Sequence, residues 1–220
     1  MKAGLAPLYL LFNICHMSYL ILVAGLPGTG KTSFARYLGG KLEIPVVSKD
    51  TVKEHLFDTV GFRNRSEKVA LGVAAMDIMY HFAEALLELN QSIILENNFE
   101  NVSKPGLEKL IQKYGCKTVT VRFHTDTDVL SERFLLRNRS PDRHRGHVID
   151  TQYPEPEGTE ALSDKMGIES FRDYYERMKC RGMEFFSIGG DEIIVDSTDF
   201  SEVSYAGICG KVTGIMARNG

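Results

Sequence analysis

The sequence predicts an α/β fold, a parallel sheet with helices on both faces, built as one domain. Three observations carry that prediction. Short apolar runs alternate with stretches of helical period from residue 19 almost to the C-terminus, the pattern of strands buried between layers of helices. The first apolar run, Tyr19-Leu20-Ile21-Leu22-Val23-Ala24, turns through a glycine-rich loop directly into a helix. Polar and acidic residues follow two later runs, at Lys49-Asp50 and at Glu96-Asn97-Asn98, where an open α/β sheet gathers its functional groups.

In chain order, a helix begins near Lys31, and Gly39-Gly40 is expected to close it as a C-terminal cap. Ile44 to Ser48 reads as a short buried strand. Thr51-x-x-Glu54 has capping-box spacing and predicts a second helix to about Phe57. After a polar basic loop, Gly61 to Arg65, a long helix is predicted from Ser66 to about Leu89. Its expected buried face is Val69, Val73, Met76, Met79, Phe82, Leu86 and Leu89. Further strands are predicted at Ser92–Glu96, Thr118–Phe123 and Glu192–Asp196, and helices at Ser103–Tyr114, Asp126–Asn138 and Glu169–Phe186. A last helix opens at Ser201, where Gly207, Gly210 and Gly214 suggest close packing or simply a weak helix. Between 139 and 160 the apolar period gives way to arginine, histidine, proline and glycine, the composition of a lid or binding loop.

Composition bounds the function classes. The 220 residues are 43% hydrophobic and 25% charged, ordinary for a globular protein long enough to bury a core. A net charge of −3 gives no global attraction for nucleic acid, so a polyanion partner would need a local patch. Four cysteines, Cys15, Cys116, Cys180 and Cys209, lie far apart with no C-x-x-C pair, which speaks against a disulfide framework or zinc site and for a reducing cytoplasm. Residues 1–16 carry one lysine and a short apolar run interrupted by Pro7, Asn13 and His16, and lack a small-residue cleavage site. They are expected to be a dispensable extension, with the functional domain spanning 17–220 and no membrane span.

The loop after the first strand is Gly25-Leu26-Pro27-Gly28-Thr29-Gly30-Lys31-Thr32, followed by Ser33. Strand, glycines, lysine, hydroxyl and helix in this order make a phosphate-binding P-loop, or Walker A motif. Backbone N–H groups wrap a polyphosphate there, and the N-terminus of the helix adds its positive end. Lys31 reaches the β- and γ-phosphates, and Thr32 ligates Mg²⁺. The expected ligand is therefore a nucleoside triphosphate with Mg²⁺. No Asn/Thr-Lys-x-Asp guanine-reading motif occurs.

Three further groups could complete the chemistry. Asp50 can take a proton from an attacking hydroxyl, although Asp50 or Thr51 could equally cap a helix. Glu96 can hold Mg²⁺ or an acceptor hydroxyl, beside Asn98 as a polar partner. The arginines 133, 137, 139, 143 and 145 lie near His144 and His147, and one of them closing on a transferring phosphoryl can be worth about 10³–10⁵ in rate. The His144–His147 spacing alone is a weak metal signal. Lys53 and Arg63 are weaker candidates for holding an anionic substrate.

With P-loop, Ser-x-Asp, a basic residue three positions later, an acid after the next strand and an arginine-rich segment, the chain resembles the P-loop kinases. The resemblance is to the small kinases related to polynucleotide 5′-hydroxyl kinase, chloramphenicol phosphotransferase and the zeta toxins, and it runs from about Ser18 to about Arg218. It implies a three-layer nucleoside-kinase-like fold with strand order 2-3-1-4-5. Gly25, Pro27, Gly28, Thr29, Gly30, Lys31, Thr32 and Ser33 would surround the nucleotide, with Arg133 and Arg139 near the donor phosphates and Arg137 catalytic. Asp50 would be the general base, and Lys53, Glu96 and Asn98 would meet the acceptor. Thr32, Asp50 and Glu96 would serve the metal. Lys53 stands where polynucleotide kinases carry an arginine, and lysine cannot repeat a planar two-point phosphate contact. The leading expectation is thus an ATP- and Mg²⁺-dependent phosphotransferase acting on a hydroxyl of a small molecule. The alternatives are a polynucleotide 5′-hydroxyl kinase, and an ATP-binding switch or slow ATPase acting through a partner.

Overall fold

The computed structural model describes residues 17–156 and 168–219. The extension 1–16 and the part of the expected lid beyond residue 156 lie outside them. Five parallel strands, β1 (Tyr19–Gly25), β2 (Val46–Ser48), β3 (Ile93–Glu96), β4 (Lys117–His124) and β5 (Asp191–Asp196), form one sheet in the order β2-β3-β1-β4-β5. This is the expected order, with β1 at the centre.

Strand β1 is buried along its whole length, and its alternation sorts the core into two layers. Tyr19, Ile21 and Val23 point to one face, where Phe34, Ala35 and Leu38 of α1 (Lys31–Leu42) and Ile208, Val212 and Ile215 of α8 (Tyr205–Asn219) cover them. Leu20, Leu22 and Ala24 point to the other, under Met76, Met79, Ala83 and Leu87 of α3 (Arg65–Glu88) and Leu107 and Leu110 of α4 (Lys104–Tyr114). Three layers result. A further apolar cluster joins α5 (Thr127–Arg139) to α7 (Ile168–Cys180) through Leu130, Phe134, Tyr175 and Met178.

Several local expectations are corrected, each for a tertiary reason. Helix α1 does not stop at Gly39-Gly40; it runs to Leu42 and is capped by Glu43 in the left-handed region. Gly39 is a close-approach site instead, since a Cβ there would lie 2.3 Å from Val46 of β2. Helix α2 (Lys49–Thr59) begins straight off β2 with Ser48 at its N-cap, so Thr51 and Glu54 form no capping box and Asp50 lies in the first turn. Helix α3 starts one residue early, at Arg65, because the Asn64 side chain accepts the Glu67 N–H. Its buried stripe is Gly72, Ala75, Met76, Met79, Ala83 and Leu87, while Val69, Val73, Phe82 and Leu89 are exposed. Small residues on that stripe bring the helix close to the sheet, and the larger apolar groups are left for other surfaces. By length and composition α3 could also cross a bilayer, yet here one side of it is packed on β-sheet core. Helix α7 ends at Cys180, ahead of the predicted Phe186, with Gly182 at φ +80 beyond it. In α8, nothing approaches Gly210 or Gly214, so these glycines serve no close packing.

Gly25, the last residue of β1, sets the exit angle of the chain into the loop. Its φ is +135, and a Cβ there would meet the Phe123 carbonyl oxygen of β4 at 2.3 Å. Gly25→Ala is expected to destabilise the protein by about 2–4 kcal/mol from strain and steric overlap together. A urea-denaturation midpoint lowered to that extent is the check.

Candidate active site

The sheet order places the C-terminal ends of β2, β3 and β1 side by side, and the candidate residues stand on those ends. Ser48 pairs in register with Glu96, and Glu96 with Val23, so the three form one row across the sheet. The buried Glu96 carboxylate accepts a 2.5 Å hydrogen bond from Ser48 Oγ, which fixes it between the loop and the start of α2. Strand β2 therefore does not touch the P-loop strand; β3 lies between them, and Asp50 approaches from its helix.

The loop holds its own shape. Gly28 and Gly30 have φ of +90 and +86, conformations that side-chain-bearing residues rarely adopt. The Leu26 carbonyl accepts from Thr29 Oγ1 at 2.9 Å and from Lys31 Nζ at 2.7 Å. Helix α1 has no side-chain cap and no acidic residue in its first turn, which leaves its N–H groups for an anion. These residues fit a triphosphate. They fit Mg²⁺ as well, since Thr32, Glu96 and Asp50 border the same pocket, although among the described residues no cluster of three His, Cys, Asp or Glu side chains surrounds one point. Burial pushes the Lys31 ammonium down to about 8, against the opposing charges of Glu96 and Asp50. Triphosphate binding raises it again, so between pH 8 and 10 complex formation takes up a proton and affinity falls as pH rises. Calorimetry of Mg·ATP at pH 8.5 in buffers of different ionisation enthalpy is expected to report that uptake.

Two hollows meet at the site. The P-loop pocket, of about 980 Å³, is lined by Gly28, Gly30, Lys31, Thr32 and Ser33 and by Glu96 on the sheet side. A larger cavity of about 1760 Å³ extends from it along α2, α3 and α4. Asp50, Asn98, Arg137 and Arg143 line both and mark the junction. The Asp50 carboxylate lies 3.9 Å from Arg137 and 4.0 Å from Arg143. Burial acts to raise its pKa, but His147, Arg143, Arg137 and Lys53 outweigh that and hold it below the usual aspartate range. His147 is itself pushed down by burial, so near neutral pH the permanently charged arginines do most of this.

The remaining predicted residues are placed as follows. Pro27, Lys53 and Arg139 line the larger cavity and are not on the P-loop pocket wall. Arg133 is beside the loop, its Cβ 3.7 Å from where a Gly28 side chain would begin. Its two terminal nitrogens donate to the Ser197 and Thr198 carbonyls, and its guanidinium stacks 3.6 Å from the Phe200 ring. It is a fixed shelf and not a swinging arm. Arg63 pairs with Glu67 on the surface and lines neither hollow. The two histidines are each held by a carboxylate: His144 meets Asp58 at 3.0 Å and His147 meets Glu54 at 2.9 Å, and both pack on Phe57.

The segment expected as a lid is docked along its described part. Residues 144–155, including α6 (Arg145–Val148), lie on α2 and α3. Lys68 Nζ donates to the carbonyls of His147 and Ile149 and to Asp150. Phe62 and Tyr153 exchange backbone hydrogen bonds, and Phe57, Phe62, Ile149 and Tyr153 form an apolar knot beneath. That docking delivers Arg143, whose side chain is 14% exposed and whose Nε is buried without a hydrogen-bond partner. Sequence reasoning had no means to choose Arg143 from its neighbours. Tyr174 of α7, another wall residue, also escaped it.

A family model described as an AAA domain, AAA_33, matches residues 20–153, more than half of the chain. No match is found among curated proteins. Among solved structures, a candidate kinase from Chloroflexus aurantiacus J-10-fl is 25% identical with a TM-score of 0.69, over 93% of this chain and 98% of that one. Shikimate kinase from Bacteroides thetaiotaomicron is 14% identical with a TM-score of 0.52, over 91% and 99%. A sugar kinase from Janibacter sp. HTCC2649 is 10% identical with a TM-score of 0.54, over 91% and 95%. The latter two likenesses are of fold.

Proposed function

We propose, from the premise that the chain belongs to the AAA_33 family of AAA domains, that it is a kinase transferring the γ-phosphoryl group of ATP to a hydroxyl of a small molecule. The observation that carries this reading is the junction: Asp50, Arg137 and Arg143 border both the pocket around the P-loop and the cavity beside it. Two substrates entering from the two sides would meet there. The kinase description of the Chloroflexus protein supports the same class.

In this reading the loop amides and Lys31 hold the triphosphate, and Glu96, fixed by Ser48, orients the acceptor and would help Thr32 hold Mg²⁺. Mg²⁺, when bound, supplies neutralisation of the β- and γ-phosphate charge. Asp50 accepts the hydroxyl proton as the new O–P bond forms and the bond to the β-phosphate bridge breaks, releasing ADP. A carboxylate held below its usual pKa is a weak base. A loose transition state, in which the proton leaves late, asks for little base strength, and a bound γ-phosphate raises that pKa. Arg137 and Arg143 stabilise the charge spread over the moving group. Arg133 forms a shelf on the donor side.

A small acceptor is favoured over a polynucleotide because much of the basic rim is internally paired. Arg65 and Lys68 are held by Asp150, Lys113 by Glu84, and Arg181 by Glu100. These pairs reduce the positive charge that the rim offers to a phosphate backbone. Placement in the branch with polynucleotide kinase, chloramphenicol phosphotransferase and the zeta toxins belongs to the same proposal. The test is a library of hydroxyl-bearing metabolites screened for Mg²⁺-dependent ADP formation. Turnover is expected only with particular acceptors. Steady phosphate release that no library member raises would instead identify an ATPase or switch.

A further inference from the structure

We infer, resting on the kinase reading, that the acceptor is amphipathic: its reactive hydroxyl sits at Asp50, and an apolar body, an aryl ring or a branched alkyl group, lies along α3 against Val69, Val73 and Val102. Helix α3 carries Val69, Gly72, Val73 and Met76 at i, i+3, i+4 and i+7, which is one face of a helix. All four line the larger cavity. Gly72 and Met76 are buried, whereas Val69 is 54% and Val73 58% exposed. On the α4 side of the cavity, Val102 in the short turn Asn101–Ser103 is 75% exposed and lines it too.

The two walls are tied to each other. The Tyr80 hydroxyl, one turn beyond Met76, donates to the carbonyl of Ser103 at 2.9 Å, next to Val102. The Tyr80 ring lies against Gly106 of α4, where a side chain would overlap it. Toward the reaction centre, the stripe reaches α2: the Lys53 side chain, one turn from Asp50, crosses the bare flank of Gly72, 3.5 Å from where a Cβ would be. A group resting on the stripe is therefore continuous with the junction where Asp50, Arg137 and Arg143 stand.

Charge frames the stripe and sets its length. At its N-terminal end Arg65 and Lys68 pair with Asp150. At the other end Asp77 and His81 begin a polar stretch of the same wall, followed by Glu84 with Lys113. Lys49 and Lys53 stand on the α2 side, and Arg181 with Glu100 on the α7 side. The apolar window from Val69 to Met76 rises about 10 Å. That is short for a partner protein, whose stable interface covers about 800 Å² a side, and it suits one ring on a short arm. The cavity, about 1760 Å³, is also roomy beside the roughly 300–1,000 Å³ of sites that enclose drug-sized ligands. A small polyol would leave the three valines in water; an apolar body covers them and gains by it.

The test uses the full chain with its nucleotide site saturated by Mg·AMP-PNP, titrated by calorimetry with 3-phenyl-1-propanol and with 1,4-butanediol. The aryl alcohol is expected to bind about tenfold or more tighter than the diol, with a negative heat-capacity change. Val73→Asn is expected to remove about tenfold of that affinity and Val73→Leu to keep most of it, both leaving AMP-PNP affinity within about twofold. Val73 is exposed, so neither change threatens the core. Phe82→Ser is the control, since Phe82 is exposed on the same helix but lies off the cavity wall, and it is expected to change nothing. Equal binding of the diol, no binding of the aryl alcohol, or losses that ignore Val73 or appear equally with Phe82→Ser would overturn the inference. So would self-association, or binding to phosphatidylcholine vesicles, that Val73→Asn abolishes, because a second copy or a lipid surface would then be the occupant. Turnover of Mg·ATP with polar alcohols alone sinks this inference and leaves a kinase. Aryl-alcohol binding that tracks Val73, without phosphorylation of any alcohol, sinks the kinase and leaves an apolar ligand site.

Discussion

Asp50→Asn is expected to lower the turnover number by about 10²–10⁴ while leaving Mg·ATP affinity within about twofold. Removing a positioned general base costs that much in comparable proton transfers, and the asparagine keeps the shape of the side chain. Affinity should hold because triphosphate binding rests on the loop, Lys31 and the uncapped end of α1, on which Asp50 acts only through its charge at Lys31. Stability should fall modestly at neutral pH, since the surrounding cations hold the carboxylate's pKa low and its loss leaves them uncompensated, while its partial exposure keeps the effect small. Single-turnover kinetics and equilibrium titration, run on one preparation, separate the outcomes. A parallel loss of Mg·ATP affinity would move Asp50 from proton acceptance to metal binding. Unchanged turnover would remove it from the mechanism.

Arg143→Ala is expected to reduce turnover by about 10³-fold or more, at the lower end of what an arginine acting on a transferring phosphoryl group supplies. Arg143→Lys should recover only part, because an ammonium cannot span two phosphate oxygens as a planar guanidinium does. Two features single out Arg143. It is the more enclosed of the two arginines near Asp50, at 14% against 36% side-chain exposure for Arg137. Its Nε is also a buried donor with no acceptor, and such a group is costly unless something fills the need during the reaction cycle. Arg137→Ala should cost less, since its greater exposure leaves its charge better screened. The reverse ranking in pre-steady-state rates would assign the principal role to Arg137.

The fold was legible because several signals agreed. Alternating apolar runs gave the strands, and the loop from Gly25 to Thr32 located the central one. Asp50 and Glu96 stood out for the same reason, as polar residues following apolar runs in a sheet whose strand ends converge, although β2 is only half-buried and not the buried strand expected. What escaped were features set by contact between distant parts of the chain. Gly39 looks like a helix stop in isolation, and only the approach of Val46 shows why a glycine sits inside the helix. The face of α3 was misassigned because that helix is apolar on several sides: its small residues pack on the sheet while Val69 and Val73 border the cavity. Arg143 could not be picked from an aperiodic basic run, since its placement depends on Lys68, Phe62 and Tyr153 from elsewhere in the chain. The docked character of residues 144–155 was invisible for the same reason.

Lys68 fastens the strip that bears Arg143 to the same helix pair that walls the larger cavity. Any tilt of that pair toward the P-loop would carry the guanidinium and the acceptor inward as one rigid piece. Presence of the second reactant and completion of the charge-stabilising shell would then be a single mechanical event, leaving water in an empty chamber a poor competitor for the phosphoryl group.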